Sequence, residues 1–218
     1  MAKNERDFNN FLLTPDSFKF EGKYDTPCIK GVLMKSLKKP TMAEFHTVNK
    51  LNATSRKKTV VHFFTADFLF ERVWYHPKAN LEVLKQFKAV CSPDFSQYTD
   101  MPRAMQIWNH YRKMWLGAWW QSQGLTVIPT VTWSDEASLE YCFDGMPRNS
   151  LVVVSSVGCE KSAEARVNFK FRYDAMMDVL KPKQIIFYGN KPHWIDDDAP
   201  VVFVEPAYKT RFNKEVKT

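Results

Sequence analysis

The stretch SLVVVSSVG (150–158), SAEARVNFKFRYDAMMDVLKP (162–182), QIIFYG (184–189) decides how the chain folds. Its outer pieces are short β-branched and apolar runs, the pattern of strands covered on both faces. The middle piece is helical, opened by Ser162 as a cap and stopped before Pro182. A strand, a helix-sized connection and a second strand form a right-handed crossover between parallel neighbours.

The same alternation extends outward in both directions. TVVHFF (59–64) reads as a strand, and FLFERVWYHPKANLEVLKQF (68–87) as helix broken at Pro77. KAVCS (88–92) is a short strand. DMPRAMQIWNHYRKMWLGAWWQSQG (100–124) is a long helix with Asp100 as N-cap, Pro102 in the first turn and Gly124 at the stop. LTVIPTVTW (125–133) is a strand that Pro129 must bend. SDEASLEYCFDG (134–145) is a short helix capped by Ser134, and APVVFVEP (199–206) is a last strand. Upstream, residues 41–51 read as a short helix with Thr41 and Glu44 as a capping box.

The expected class is therefore α/β: a mostly parallel sheet of about six strands with crossover helices. It is either open and doubly wound or a partial barrel, and six strands are too few for the eight-stranded barrel. The expected organisation is a basic N-terminal extension (1–58), the α/β domain (59–208) and a basic tail (209–218).

The chain has 218 residues and is 44% hydrophobic, with 17 Phe, 8 Tyr and 7 Trp, enough for a sizeable core. No apolar run approaches the ~20 residues of a membrane span, and the charged start MAKNERDF shows no signal peptide. The expected setting is the cytoplasm. Cys28, Cys91, Cys142 and Cys159 lack metal-binding spacing and read as reduced thiols. The net charge of +7 is uneven. Residues 1–58 carry 12 Lys/Arg against 6 Asp/Glu, residues 59–208 carry 15 against 17, and residues 209–218 carry 4 against 1. Basic arms suit a phosphate backbone, or act as solubilising surface.

Along the long helix, Met101, Ala104, Trp108, Tyr111, Trp115 and Trp119 recur at helical spacing and read as the core face. Arg103, Gln106, His110 and Lys113 form the opposite, polar stripe. A base-stacking platform is the alternative reading of the aromatic row.

In parallel α/β folds ligands sit beyond the carboxyl ends of the strands. Those ends carry Thr65 and Asp67; Asp94, Ser96 and Tyr98; Trp133 and Asp135; Ser155, Ser156 and Lys161; Tyr188, Asn190 and His193; Glu205 and Tyr208. Asp67, Asp94, Asp135 and Glu205 are four carboxylates that would suit magnesium and in-line phosphoryl displacement. The competing reading of Asp135 is a helix first turn, and of Asp94 an Asx turn. His193 is a candidate acid or base, whereas His62, inside an apolar strand, reads as core. Asp196, Asp197 and Asp198 read as a solvated turn. No Gly-rich phosphate loop or nucleophile elbow is present.

HFFTADFLFERVW (62–74), PDFSQYTDMPRAMQIWNHYR (93–112), GAWWQSQGLTVIPTVTW (117–133) and the G-MP-NSLVVVSSVG segment (145–158) resemble domain-of-unknown-function family 4417 of phages and bacterial mobile elements. The resemblance implies a phage or mobile-element protein and transfers no activity. Its positions Asp94, Ser96, Asp100, Arg103, Asn109, Arg112, Gln121 and Trp133 are polar or bulky beyond what packing demands.

Three readings follow. The first is an enzyme acting on nucleic acid or a phosphate-bearing substrate. Asp94, Asp135 and His193 would do the chemistry, the four carboxylates would hold magnesium, and Arg103 and Arg112 would bind phosphate. The second is a non-catalytic phage protein that binds a host defence or replication protein. The third is sequence-independent nucleic-acid binding through the arms.

Overall fold

The computed structural model describes residues 18–34, 39–159, 162–196 and 200–206. In chain order the strands and α-helices are β1 (Phe20–Glu21), β2 (Thr26–Pro27), β3 (Thr41–Glu44), α1 (Ala53–Arg56), β4 (Thr59–His62), α2 (Arg72–Tyr75), α3 (Pro77–Leu84), β5 (Ala89–Cys91), α4 (Arg103–Ser122), β6 (Val127–Ile128), β7 (Thr130–Val131), β8 (Leu151–Ser155), α5 (Ala163–Leu180), β9 (Gln184–Tyr188) and β10 (Val201–Val204). β1 and β2 form a small antiparallel pair. The remaining strands form two four-stranded parallel sheets, ordered β3-β4-β5-β6 and β7-β8-β9-β10.

Pro129 explains the division. Segment 127–131 pairs with β5 through its first half and with β8 through its second. Proline has no N–H to donate, but its carbonyl still accepts from the Val153 amide at 2.9 Å. Beside it the Ser92 hydroxyl takes the Thr130 amide at 2.8 Å, so a side chain stands in for a ladder acceptor. The two sheets are therefore joined through one bent segment, and the strands follow one another in sequence order without reversal.

That order selects the partial barrel over the doubly wound sheet, which needs a point where strand order reverses. The rings of His62, the last residue of β4, and Tyr188, the last of β9, lie 4.5 Å apart. In a flat sheet the four strand spacings between them would set them ~19 Å apart. The sheet therefore curls. Its inner face is a small apolar cluster that includes Val60, Ala89, Cys91, Ile128, Leu151, Val153 and Ile186 and, among the described residues, contains no helix residue. The outer face joins the helices in the larger core, with Val61, Val90, Val127, Val152 and Ile185 meeting Trp74, Trp115, Trp120 and Met176.

Most elements stand where the sequence puts them. Pro77 breaks the helix and opens α3, Gly124 takes φ 88° after α4, and Ser162 caps α5 by accepting from the Ala165 amide at 3.0 Å. Three local expectations are corrected. Residues 41–44 are not the start of a helix: they form edge strand β3, in parallel register with β4 from Thr41↔Thr59 to Glu44↔His62. A capping-box pattern is a local signal, and the ladder to β4 overrides it. Asp100 does not cap α4, whose N-cap is Pro102 with no side-chain bond. Asp135, not Ser134, caps the 3-10 turn Glu136–Glu140 by accepting from the Ser138 amide.

Within residues 1–58, β3 belongs to the main sheet. Beyond β3, the segment around Lys30–Met34 crosses the amino ends of the strands, where the Leu151 amide donates to the Val32 carbonyl at 2.8 Å. Helix α4 runs back from the carboxyl ends of the strands and is buried without interruption from Arg112 to Trp120. Its polar stripe is enclosed: Gln106 and His110 are 1% exposed and Lys113 0%, while Trp108 is 40% and Met105 50% exposed. The aromatic face is core at Trp115 and Trp119 but open at Trp108, and the stripe opposite it is enclosed from Gln106 onward.

Candidate functional site

A cleft of about 560 Å³ opens at the carboxyl ends of the strands, within the range of small-ligand sites. Phe64, Thr65 and Ala66 reach it from β4, Asp94, Ser96, Gln97 and Tyr98 from β5, Val131, Thr132 and Trp133 from β7, and Ser155, Val157, Gly158 and Cys159 from β8. Among the described residues its lining holds three aromatic rings and several hydroxyl and amide groups, with Asp94 as its one charged side chain. The Trp133 ring is held against Phe169 at 5.3 Å, which fixes that wall on α5.

The loop that carries Asp94 is pinned from every side. Ser96 donates to the Asp67 carboxylate from its amide at 3.1 Å and from its hydroxyl at 2.8 Å. Asn109 of α4 donates to the Ser96 carbonyl. Arg112 lies over the Phe95 ring at 3.7 Å, donates to Asn109 at 3.0 Å and pairs with Glu71. Thr132 donates its hydroxyl to Asp94 itself. A side chain held this way keeps one orientation, as proton-transfer catalysis requires.

Asp94 is partly accessible from the cleft and otherwise enclosed by protein. Burial pushes its carboxyl up to about 6, against the Thr132 hydrogen bond and the nearby Lys113 charge, with Asp67 adding to the rise. Lys113 is buried on α4, and its ammonium has no hydrogen-bond partner among the described residues. Burial brings it down to about 8, with Asp94 and Cys142 opposing the fall.

The residues expected from sequence divide accordingly. Asp94, Ser96 and Trp133 line the cleft. Asp67, Asn109 and Arg112 brace the loop behind it. Arg103 donates to both Asp135 oxygens at 2.8 and 2.9 Å, so this cation and this carboxylate satisfy each other. Burial works to raise the Asp135 carboxyl, but the Arg103 guanidinium holds it below its ordinary value. Gln121 stands at the opposite end of the sheet, bonded to the Lys30 backbone. His193 is exposed in the loop after β9, Glu205 is exposed just past β10, and neither lines the cleft. Asp197, Asp198, Lys161 and Tyr208 lie outside the described residues, as do residues 1–17, 35–38 and 209–218 of the two arms. Among the described residues no three His, Cys, Asp or Glu side chains gather closely enough to hold a metal ion. Asp135 is spent on Arg103 and Ser138, and Asp67 on Ser96.

Residues 18–205 match the family described as Domain of unknown function (DUF4417). The chain belongs to this family. It is also similar to the Gene 1 protein of Mycobacterium phage L5, 40% identical over 156 residues that cover 72% of this chain and 68% of that one. The Gene 1 protein of Mycobacterium phage D29 is 38% identical over 156 residues, covering 72% of this chain and 58% of that protein. No solved structure matches the chain. The family match extends well beyond the 60–158 stretch that carries the resemblance in the sequence. It takes in β3, the whole cleft and β10. Among the described residues no helix is long and apolar enough to cross a membrane.

Sequence reasoning missed Lys113, Thr132 and Gln97. Lys113 belongs to a row Asn109, Lys113, Gly117 at spacing four on α4. A Gly in mid-helix marks a close approach by another element. A Cβ on Gly117 would meet the Ile29 side chain at 2.3 Å and the Ser92 side chain at 3.4 Å. That signal marks the row as a packed face, with Lys113 in its middle.

Proposed function

We propose that the cleft receives the base of a nucleotide or of an unpaired nucleic-acid residue, and that Asp94 exchanges a proton with it as general acid and base. The observation that carries this reading is the Asp94 carboxyl, held in one orientation at the cleft and poised near neutral pH. A carboxyl tuned to about 6 is a competent proton donor and acceptor under physiological conditions, which one at its ordinary value is not. The rest of the lining supports the ligand class. Phe64, Tyr98 and Trp133 offer faces for a planar ring, and Thr65, Gln97 and Ser155 offer donors and acceptors for its edge. Phosphate groups would lie outside this lining, which among the described residues carries no cation.

Tryptophan fluorescence titrations with nucleoside monophosphates and with single-stranded DNA and RNA oligonucleotides test the reading. Base-dependent quenching is expected, weakened about tenfold or more in Trp133→Ala, since stacking contributes ~1–3 kcal/mol per base. Asp94→Asn should keep binding and lose turnover of whichever ligand is converted. Equal binding by Trp133→Ala, or no binding at millimolar concentration, overturns it.

A second reading, docking on a host protein, draws on the exposure of Phe68 (81%), Tyr75 (60%) and Met105 (50%). Under it, Phe68→Ser abolishes capture of a stoichiometric partner from host lysate, and Asp94→Asn leaves capture intact.

A further inference from the structure

Helix α4 packs along the segment that enters the cleft, and three of its residues fix the alignment. Gly117 approaches Ser92, with 3.4 Å between an added Cβ and the serine side chain. Asn109, two turns earlier, bonds the Ser96 carbonyl. Lys113 lies midway between them on the same row, four residues from each. By interpolation it stands level with the middle of the 92–96 segment, where Asp94 is. Electrostatic interaction between the Lys113 and Asp94 side chains agrees with that placement. Lys113 is 0% exposed, and its ammonium has no hydrogen-bond partner among the described residues. An isolated ammonium in such a place is costly unless an opposite charge answers it.

We propose that Lys113 is the concealed counter-ion of Asp94, a positioning residue that keeps the carboxyl ionisable from behind while its other side faces the ligand. The proposal rests on the reading of Asp94 as acid and base, and adds the group that sets its protonation. Without a cation behind it, enclosure and the neighbouring Asp67 would keep the carboxyl protonated and hence unable to accept a proton. With Lys113 there, the carboxyl can cycle. Among the described residues, the other groups facing the pair are Asp67, Thr132, which donates to Asp94, and Cys91, with Cys142 and His110 beside Lys113. Burial raises both thiols and lowers the imidazole, which keeps all three neutral, so the lysine is the one cation in the group.

The test is reciprocal titration by NMR, following the Asp94 carboxyl carbon and the Lys113 side-chain nitrogen in the full chain. In Lys113→Met the Asp94 midpoint should move up by about one pH unit, the effect of removing a near opposite charge. In Asp94→Asn the Lys113 midpoint should fall by a comparable amount, because coupling between two sites is mutual. A lysine that only fills space would move neither, and an unmoved partner in either variant overturns the proposal. If Lys113→Met does not fold, the Asp94→Asn measurement decides alone. Failure of the functional reading looks different. Asp94 would then titrate in the wild-type chain at an ordinary carboxylate value, whatever the coupling.

Discussion

The two ends of the curled sheet handle their polar groups in opposite ways. At the amino ends, three side chains each grip one backbone residue twice. Gln121 accepts from the Lys30 amide at 2.7 Å and donates to its carbonyl at 2.8 Å. Ser150 accepts from the Val32 amide at 2.8 Å and donates to its carbonyl at 2.9 Å. Gln184 does the same for Met34 at 2.8 and 2.7 Å. The clamped residues alternate, 30, 32 and 34, so side chains serve that edge of the segment as a neighbouring strand would. At the carboxyl ends, Asp94 and Lys113 stand in surroundings that disfavour their charges. In barrel-like α/β folds one end carries stability and the other chemistry, and here the doubly bonded clamps contrast with the Lys113 ammonium, which has no hydrogen-bond partner among the described residues.

The strongest way to break the comparison is to remove the clamps. Ser150→Ala combined with Gln184→Ala deletes four hydrogen bonds to buried or half-buried backbone. At about 1 kcal/mol each, the loss is about 4 kcal/mol, read by urea denaturation. Ligand titrations at the other end of the folded double variant should match the wild type. A change in cleft binding as large as the change in stability would show that the two ends are not separate.

The carboxyl end should instead show itself in pH dependence. Asp94 titrates higher in the fold than in the unfolded chain, at about 6 against an ordinary 3.8. Between these values the folded state holds the extra proton, so wild-type stability falls as pH rises from about 4 to about 6. Asp94→Asn should remove that fall and be more stable at pH 7 by roughly 2 kcal/mol. Lys113 has the reverse sign. Its folded value of about 8 lies below the ordinary 10.5. Wild-type stability should therefore rise between those values, and Lys113→Met should lack the rise. Denaturation midpoints from pH 4 to 10.5 check both. Parallel curves for wild type and variants would mean that neither group is enclosed as described.

Much of this was legible in the sequence, and the gaps have physical causes. Strand cores such as Leu151–Ser155 and Gln184–Tyr188 declare themselves because residues covered on both faces must be apolar throughout. Pro129 declared its bend because a missing N–H cannot be disguised. Edge strand β3 did not, because half-exposed TMAE has no strand pattern of its own and owes its form to β4. Asp94 could be placed at the cleft, since strand order alone puts it there. Lys113 could not. Helical periodicity assumes one wet face, and α4 is enclosed on both sides over its second half, so polarity there marks function or bracing instead of solvent. The same enclosure explains why Asn109 and Arg112 brace the loop: Asn109 donates to Ser96, Arg112 donates to Asn109 and Glu71, and its guanidinium covers the Phe95 ring.

Arg103 provides the smallest effect and a sharp control on the division. It sits at the start of α4, near the carboxyl end of the sheet, yet outside the cleft lining. Its guanidinium holds Asp135 and Gln106, so a phosphate would have to displace a carboxylate already bound through two hydrogen bonds. Both partners are more than a third exposed, at 35% and 39%, so solvent screens the pair. Arg103→Gln should therefore cost less than about 1 kcal/mol in urea denaturation. It should also leave nucleotide titrations within about twofold of wild type, and leave the salt dependence of oligonucleotide binding unchanged. A flatter salt slope would return Arg103 to the phosphate-binding role its position suggests, because each lost phosphate contact lowers that slope by ~1. The carboxyl end would then extend past the cleft to the helix start, and the boundary between bracing and binding residues would move from Ser96 out to Asp135.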